Sequence, residues 1–278
     1  MPFWPEGLQE SLGDSLVTTP YLNVFQNVYY VLYSSGDDTN NGLDRVKPFK
    51  TLKHAVTVTN AAGGSSLIML MDGHAETLVS GMSVTQNNTC IVGAGMSGGL
   101  PTVKLTPSGI AAPMINVMAL SCLIANVGFY GNVADSAYPK VSFATASAGS
   151  ASTIRGCYFE CGTHDTNAVE INSNDSIRIE STTFLAAGTQ GSGIYIPSPG
   201  NVRFMVMEDV IFDGGSTGFW KQVAFSAADA NALTAFRFER ISLLRGSDMD
   251  LGNEISSGIL QVSSTSGGAR IDYVPGVS

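Results

Sequence analysis

An all-β fold, a right-handed parallel β-helix of about seven coils with an N-terminal capping α-helix, is predicted for this 278-residue chain by three observations. The first is a repeat. Stretches 122–131, 152–162, 176–188, 204–215 and 235–247 read alike. Each places an apolar residue (Ile124, Ile154, Ile179, Met207, Phe238) five positions before an anchor (Phe129, Phe159, Phe184, Phe212, Leu243). The anchor intervals are 30, 25, 28 and 31 residues, and a loose period of this size on strand-like segments marks a stacked repeat. The second is a further short strand signal in each coil: 114–118, 141–145, 168–172, 193–197 and 222–226. The third is composition. Charged residues make up 13% of the chain against roughly 25% in ordinary soluble domains. The 31 glycines suit short strands joined by turns better than a helical bundle.

Three segments follow in order. Residues 1–27 stand outside the repeat as an N-terminal arm. Pro2, Phe3, Trp4 and Pro5 form a stiff apolar tip, and Leu8, Leu12 and Leu16 fall on one helical face with Glu6, Glu10 and Asp14 elsewhere. So short a helix needs a partner surface, either its own domain or another subunit. Residues 28–64 read as a cap. VYYVLY (28–33) is the opening strand and SSGDDTNNG (34–42) a loop. Pro48 opens a helical stretch with Phe49, Leu52, Ala55, Val56 and Thr59 on one face, stopped by Gly63 and Gly64. A solenoid exposes core and strand edges at its end, and this helix is placed to cover them. Residues 65–278 form the body.

The net charge of −9 supplies no basic surface for nucleic acid. No run of 18 apolar residues exists, so no membrane-spanning helix is expected. The start MPFWPEGLQE lacks the basic and apolar regions of a secretory signal. Cys90, Cys122, Cys157 and Cys161 are therefore expected as free thiols made in a reducing compartment.

Residues 29–79, with YVLYSSGDDTNNGL, KPFKTLKHAV and GSSLIMLMDGHAETL, resemble the start of pectate-lyase-like right-handed parallel β-helix proteins, phage virion spikes among them. The resemblance implies a strand, loop and helix that cap the solenoid, and side-by-side trimers. The family hosts lyases, hydrolases, esterases and inert spikes, so it fixes fold before activity. The Asn-Thr-Asp, Asp-Asp, Gly-His-Gly and Arg-Ile-Lys set of the polygalacturonase-like hydrolases is absent, Arg178-Ile179-Glu180 being the nearest string. The Arg-x-Pro-x-x-Arg and Asp-His strings of pectate lyases are absent as well.

Candidate chemistry is sparse. Asp72, His74 and Glu76 would share one face of a strand, but Gly73 and the resemblance favour a turn. Asp37, Asp38, Asn40 and Asn41 begin like a calcium loop, yet Thr39 and Pro48 sit where ligands are needed. Cys157, Cys161 and His164 lack the second pair of a structural zinc site, which leaves Cys157 as a buried thiol. The repeat register itself gives the sharpest set. If Ile124, Ile154, Ile179, Met207 and Phe238 face inward, then Ala125, Arg155, Glu180, Glu208 and Glu239 face outward on successive coils. Carboxylates stacked about 5 Å apart fall within the range used by glycoside hydrolases and should push one pKa upward. Arg178 and Arg237 beside them equally describe a solvated salt-bridge strip. Tyr195 and Trp220 are candidates for stacking on sugar rings.

These readings together favour a structural virion protein of a tailed phage. It would be a head decoration protein or short fibre or spike, made in the host cytoplasm and assembled as a homotrimer. It would join other capsid or tail proteins through residues 1–27 (Phe3, Trp4, Leu8, Leu12, Leu16) and adhere to host surface glycans. No catalytic residue, cofactor or metal is expected. The alternatives are a polysaccharide-degrading glycosidase or lyase of the tailspike type, with Glu180, Glu208 and Glu239 as acid and base, and a non-catalytic carbohydrate-binding module.

Overall fold

The computed structural model describes residues 25–131, 138–144, 149–161, 167–172, 174–187, 192–197, 202–215, 221–225, 233–234, 236–245, 248–250, 258–265 and 270–272. Phe3, Trp4, Leu8, Leu12, Leu16, His164 and Trp220 lie outside them.

The chain winds through three ladders whose strand pairs are all parallel. The first ladder stacks Asn27–Val31, Ser66–Leu70, Thr89–Gly93, Leu123–Ala125, Thr153–Arg155, Arg178–Glu180, Val206–Glu208 and the long strand Phe236–Leu244, against which Gly258–Thr265 pairs. The second runs from Ala75–Leu78 through Lys104–Pro107, Gly128–Phe129, Tyr158–Cys161, Thr183–Ala186 and Ile211–Asp213 to the same long strand. The third runs from Met82–Val84 through Ile115–Val117, Val141–Phe143, Asn167–Ile171, Ser192–Ile196, Lys221–Phe225 and Asp248–Asp250 to Arg270–Asp272. That third face carries eight strands, against the seven or so coils expected. A small antiparallel hairpin, Met96–Ser97 with Leu100–Pro101, is inserted between the first and second ladders and was not expected from the sequence.

The register agrees with the repeat residue for residue. Ile124, Ile154, Ile179, Met207 and Phe238 are direct partners on successive rungs. So are Phe129, Phe159, Phe184, Phe212 and Leu243. All ten lie in one core cluster with 2% exposure or less. Spacing forces this: a five-residue offset carries the chain from one inward position, round a corner, to the next. The Phe rings stack face to face, with centroids 4.7, 5.0 and 5.0 Å apart and planes within 13°. A parallel ladder with rungs about 4.8 Å apart imposes that geometry on identical side chains. Burying each ring stabilises the stack by about 2–3 kcal/mol before entropy is counted.

The corners that flank the first ladder carry left-handed residues, few of them glycine. Asn88, Ser121, Ala151, Ser176 and Phe204 precede it with φ of 55–58°. Asn126, Gly156, Ser181, Asp209 and Arg240 follow it with φ of 47–59°. At these corners the peptide N–H donates to a carbonyl one coil onward, as in Asn126 to Arg155, Gly156 to Glu180 and Ser181 to Glu208. Satisfaction of the backbone along the stack offsets the roughly 1–2 kcal/mol that an L-residue spends in this region.

The helix α1 spans Leu52–Ala62 and is capped by Thr51, whose hydroxyl accepts from the His54 N–H at 3.2 Å. The expected start at Pro48 gives way to this cap. Phe49 instead bridges to Val31 and is itself buried. Leu52, Ala55, Val56 and Thr59 are buried, and the first three join Val31, Ile68, Leu70 and Val84 in the core.

The outward side of the first ladder changes character along the stack. Its first four rungs present two apolar columns, Val28, Leu67, Cys90 and Leu123 in one and Tyr30, Met69, Val92 and Ala125 in the other. From the fifth rung the columns become Thr153, Arg178, Val206, Arg237 and Arg155, Glu180, Glu208, Glu239.

Candidate functional site

The charged half of that face holds the sharpest of the constellations that the sequence offered for chemistry. Glu180, Glu208 and Glu239 are register partners on consecutive rungs, as the repeat predicted. Each is held by guanidinium. Arg178 donates to Glu180 Oε1 through Nε at 2.8 Å, and Arg155 Nε lies 3.8 Å from Glu180 Oε2. Arg237 makes a two-point pair with Glu239, both contacts 2.6 Å. Arg240 bonds Asp209 in the same two-point fashion and reaches Glu208 as well. The upward pKa push expected of stacked carboxylates is reversed at Glu239, whose carboxyl is held below the ordinary range by the Arg237 bonds. Opposite charge at hydrogen-bond distance outweighs like charge a rung away.

Arg240 was not anticipated, although its partner was within reach of the same register. It follows Glu239 at the corner, in the column Asn126, Gly156, Ser181, Asp209, Arg240, where Asp209 is its neighbour one coil back. Two further pairs repeat the device, Arg203 with Asp175 and Arg245 with Asp213. The carboxyls of Asp175, Asp209 and Asp213 are all depressed, in each case first by the bonded arginine. A carboxyl with a folded pKa below its unfolded value contributes stability above about pH 4, and that contribution is lost as pH falls through the folded value. Asp213→Asn should therefore flatten the acid limb of stability below about pH 4, measured by denaturant titration, and leave pH 7–9 behaviour parallel to wild type.

A second polar cluster lies at the N-terminal end. The Asp72–Gly73 turn forms as expected, with the Thr102 hydroxyl bonded to Asp72 Oδ1 at 2.5 Å. His74 and Glu76, however, turn into the protein and are 0% and 5% exposed. His74 Nδ1 accepts from the Tyr33 N–H at 3.1 Å, so the ring proton sits on Nε2, 3.1 Å from Glu76 Oε2. The same Glu76 oxygen accepts from the Leu52 N–H at 2.9 Å, the first residue of α1. Asp38 accepts at one oxygen from the Lys50 and Thr51 N–H groups, both 2.9 Å, and at the other from the Thr51 hydroxyl. Two carboxylates thus face the helix N-terminus, where orphan N–H groups and the helix dipole favour negative charge. Asp37 closes a local turn onto Thr39, and Asn40 donates to the Pro48 carbonyl at 2.8 Å. The opening loop is spent on tying the cap together.

Cys122, Cys157 and Cys161 are buried and Cys90 half-buried, all four unbridged. Burial pushes the Cys157 thiol up to about 12 and the Cys122 thiol up to about 11. Tyr195 is half-buried on the third ladder, between Glu170 and Ala224. Among the described residues no cluster of three His, Cys, Asp or Glu side chains could hold a metal ion, and no helix is long and apolar enough to cross a membrane.

No family model matches the chain, and no curated protein matches it by sequence. Solved structures do. A rhamnogalacturonan lyase aligns over 84% of this chain and 73% of its own, at 9% identity and a TM-score of 0.52. A pectin methylesterase in complex with a hexasaccharide aligns over 85% of this chain and 81% of its own, at 12% identity and a TM-score of 0.41. A GH136 lacto-N-biosidase from Eubacterium ramulus covers 88% of this chain and 67% of its own, at 9% identity and a TM-score of 0.40. At such identities the likeness is one of fold, and the fold is the parallel β-helix of pectate-lyase-like proteins.

Proposed function

We propose that the chain is a non-catalytic structural protein of a tailed-phage particle, a head decoration protein or a short fibre or spike, working by adhesion and reinforcement. One observation carries the non-catalytic half: Glu180, Glu208 and Glu239 are each neutralised by an arginine, Arg178, Arg240 and Arg237 respectively. A nucleophile needs an accessible oxygen, and a guanidinium engages one on each of the three; a general acid needs a raised pKa, and at Glu239 the Arg237 bonds hold the carboxyl down. The resemblance of residues 29–79 to β-helix virion proteins supports the particle half, with a side-by-side homotrimer as the assembly and host surface glycan as the adhesive partner. Electron microscopy of particles carrying a tagged copy, with native mass spectrometry of the free protein, tests this. The tag should appear at a fixed head or tail position and the mass should be that of three chains. Absence of the protein from purified particles would overturn the proposal.

The stacking of three carboxylates on consecutive rungs favours a second reading, a polysaccharide hydrolase or lyase. In that case a broad glycan panel would release reducing ends or unsaturated products with the intact protein and none with Glu208→Gln. The structural reading expects no release from either.

A further inference from the structure

The apolar half of the first ladder's outward face is buried, although among the described hydrophobic residues only Phe25 reaches it from outside the sheet and its corners. Tyr30, Leu67, Met69, Val92 and Ala125 point away from the coil interior and form a cluster separate from the core. Even so, Leu67 and Met69 are 3% exposed and Val92 and Ala125 1%. Outward positions on a solenoid face water unless something lies across them, and the same positions four rungs on carry Arg and Glu. The described hydrophobic residues packed on this cluster are neighbours in the sheet or its corners, with one exception, Phe25, the first described residue; the Arg45 guanidinium lies over the Tyr30 ring at its edge.

We infer that residues 1–24 dock on this face of their own solenoid. The chain leads from the patch directly into that segment, because Phe25 already rests on it. The sizes agree. Four rungs span about 14 Å, and Leu8 to Leu16 as a helix spans about 12 Å. So does chemistry: Leu8, Leu12 and Leu16 supply an apolar face, and residues 1–24 carry Glu6, Glu10 and Asp14 with no Lys or Arg. Cations border the patch, with Arg45 over the Tyr30 ring at 5.5 Å and Arg155 on the rung after Ala125. Of the two roles open to the arm, cover for its own domain or attachment to another subunit, this is the one the patch supports. The inference does not rest on the particle assignment.

Cys90 reports on the docking, since it sits half-buried in the patch while Cys122, Cys157 and Cys161 are buried in the core. In the full chain carrying Leu8→Asp, Leu12→Asp and Leu16→Asp together, maleimide labelling of Cys90 should accelerate at least tenfold, with Cys157 still unlabelled. An unchanged Cys90 rate would overturn the docking. A wild-type rate that rises on dilution would overturn it in favour of a second copy as the occupant. If the triple variant labels Cys157 and so has unfolded, a benzophenone side chain at position 12 of the otherwise wild-type chain decides. Photocrosslinks to the 67–71 or 90–94 segment of the same chain support docking, and crosslinks elsewhere or between chains overturn it.

Discussion

Phe184→Ala is expected to lower the unfolding free energy by about 4 kcal/mol, the size of effect that removing a fully buried aromatic ring produces. Phe184 is 0% exposed and lies in ring contact with both Phe159 and Phe212, each 5.0 Å away. Alanine removes the transfer contribution, leaves a cavity between two rings that the ladder holds in place, and loses two stacking contacts of about 0.5–1.5 kcal/mol each. Rungs fixed by hydrogen bonds on both sides cannot close the gap, so the site relaxes poorly. Phe184→Leu fills most of the volume and should cost roughly a third as much, matching Leu243, which already serves as the anchor of its own coil. Guanidinium denaturation at neutral pH measures both. A loss under 1 kcal/mol for Phe184→Ala would mean that the ring stack is incidental to stability.

The second large effect belongs to Glu76. Glu76→Ala removes the acceptor of two buried donors, the Leu52 N–H and His74 Nε2–H. Each stranded donor costs about 1–3 kcal/mol, so a loss of about 3 kcal/mol is expected. Glu76→Gln keeps one amide oxygen and a similar shape, and should recover much of that loss. Equal destabilisation by both substitutions would assign the effect to negative charge at the helix N-terminus rather than to hydrogen bonding. Hydrogen exchange localises it, because protection should fall first in Leu52–Ala62 and the opening loop.

Legibility in the sequence divides along physical lines. The core register was readable because an apolar residue and its anchor keep one five-residue offset, and a two-residue period then fixes which neighbours face out. The outward Glu and Arg columns followed from the same count. The left-handed corners were not readable, since Ser121, Ala151, Phe204 and Arg240 are not residue types that announce positive φ. Stacked backbone bonds hold them there, and those exist only once neighbouring coils are in place. For His74 and Glu76 the sequence offers, with Asp72, only a turn, because local pattern cannot show that α1 and Tyr33 close over them. The arginine pairs across coils, such as Arg203 with Asp175, depend on contacts between residues 28 apart.

The corner between the first two ladders has a consequence for how this surface can vary. From Ile124 to Phe238 every coil spends the same five residues there, while the distance from the anchor to the next third-ladder strand ranges from Phe129–Val141 down to Leu243–Met249. In these coils insertions and deletions are thus steered to the other two edges, where a loop can lengthen without shifting the rungs, whereas the coil before them takes its hairpin, Met96–Ser97 with Leu100–Pro101, at this corner. Sequence drift, or deliberate loop grafting, can remodel what those edges offer to a partner while the ring stack and the arginine-paired face stay in register.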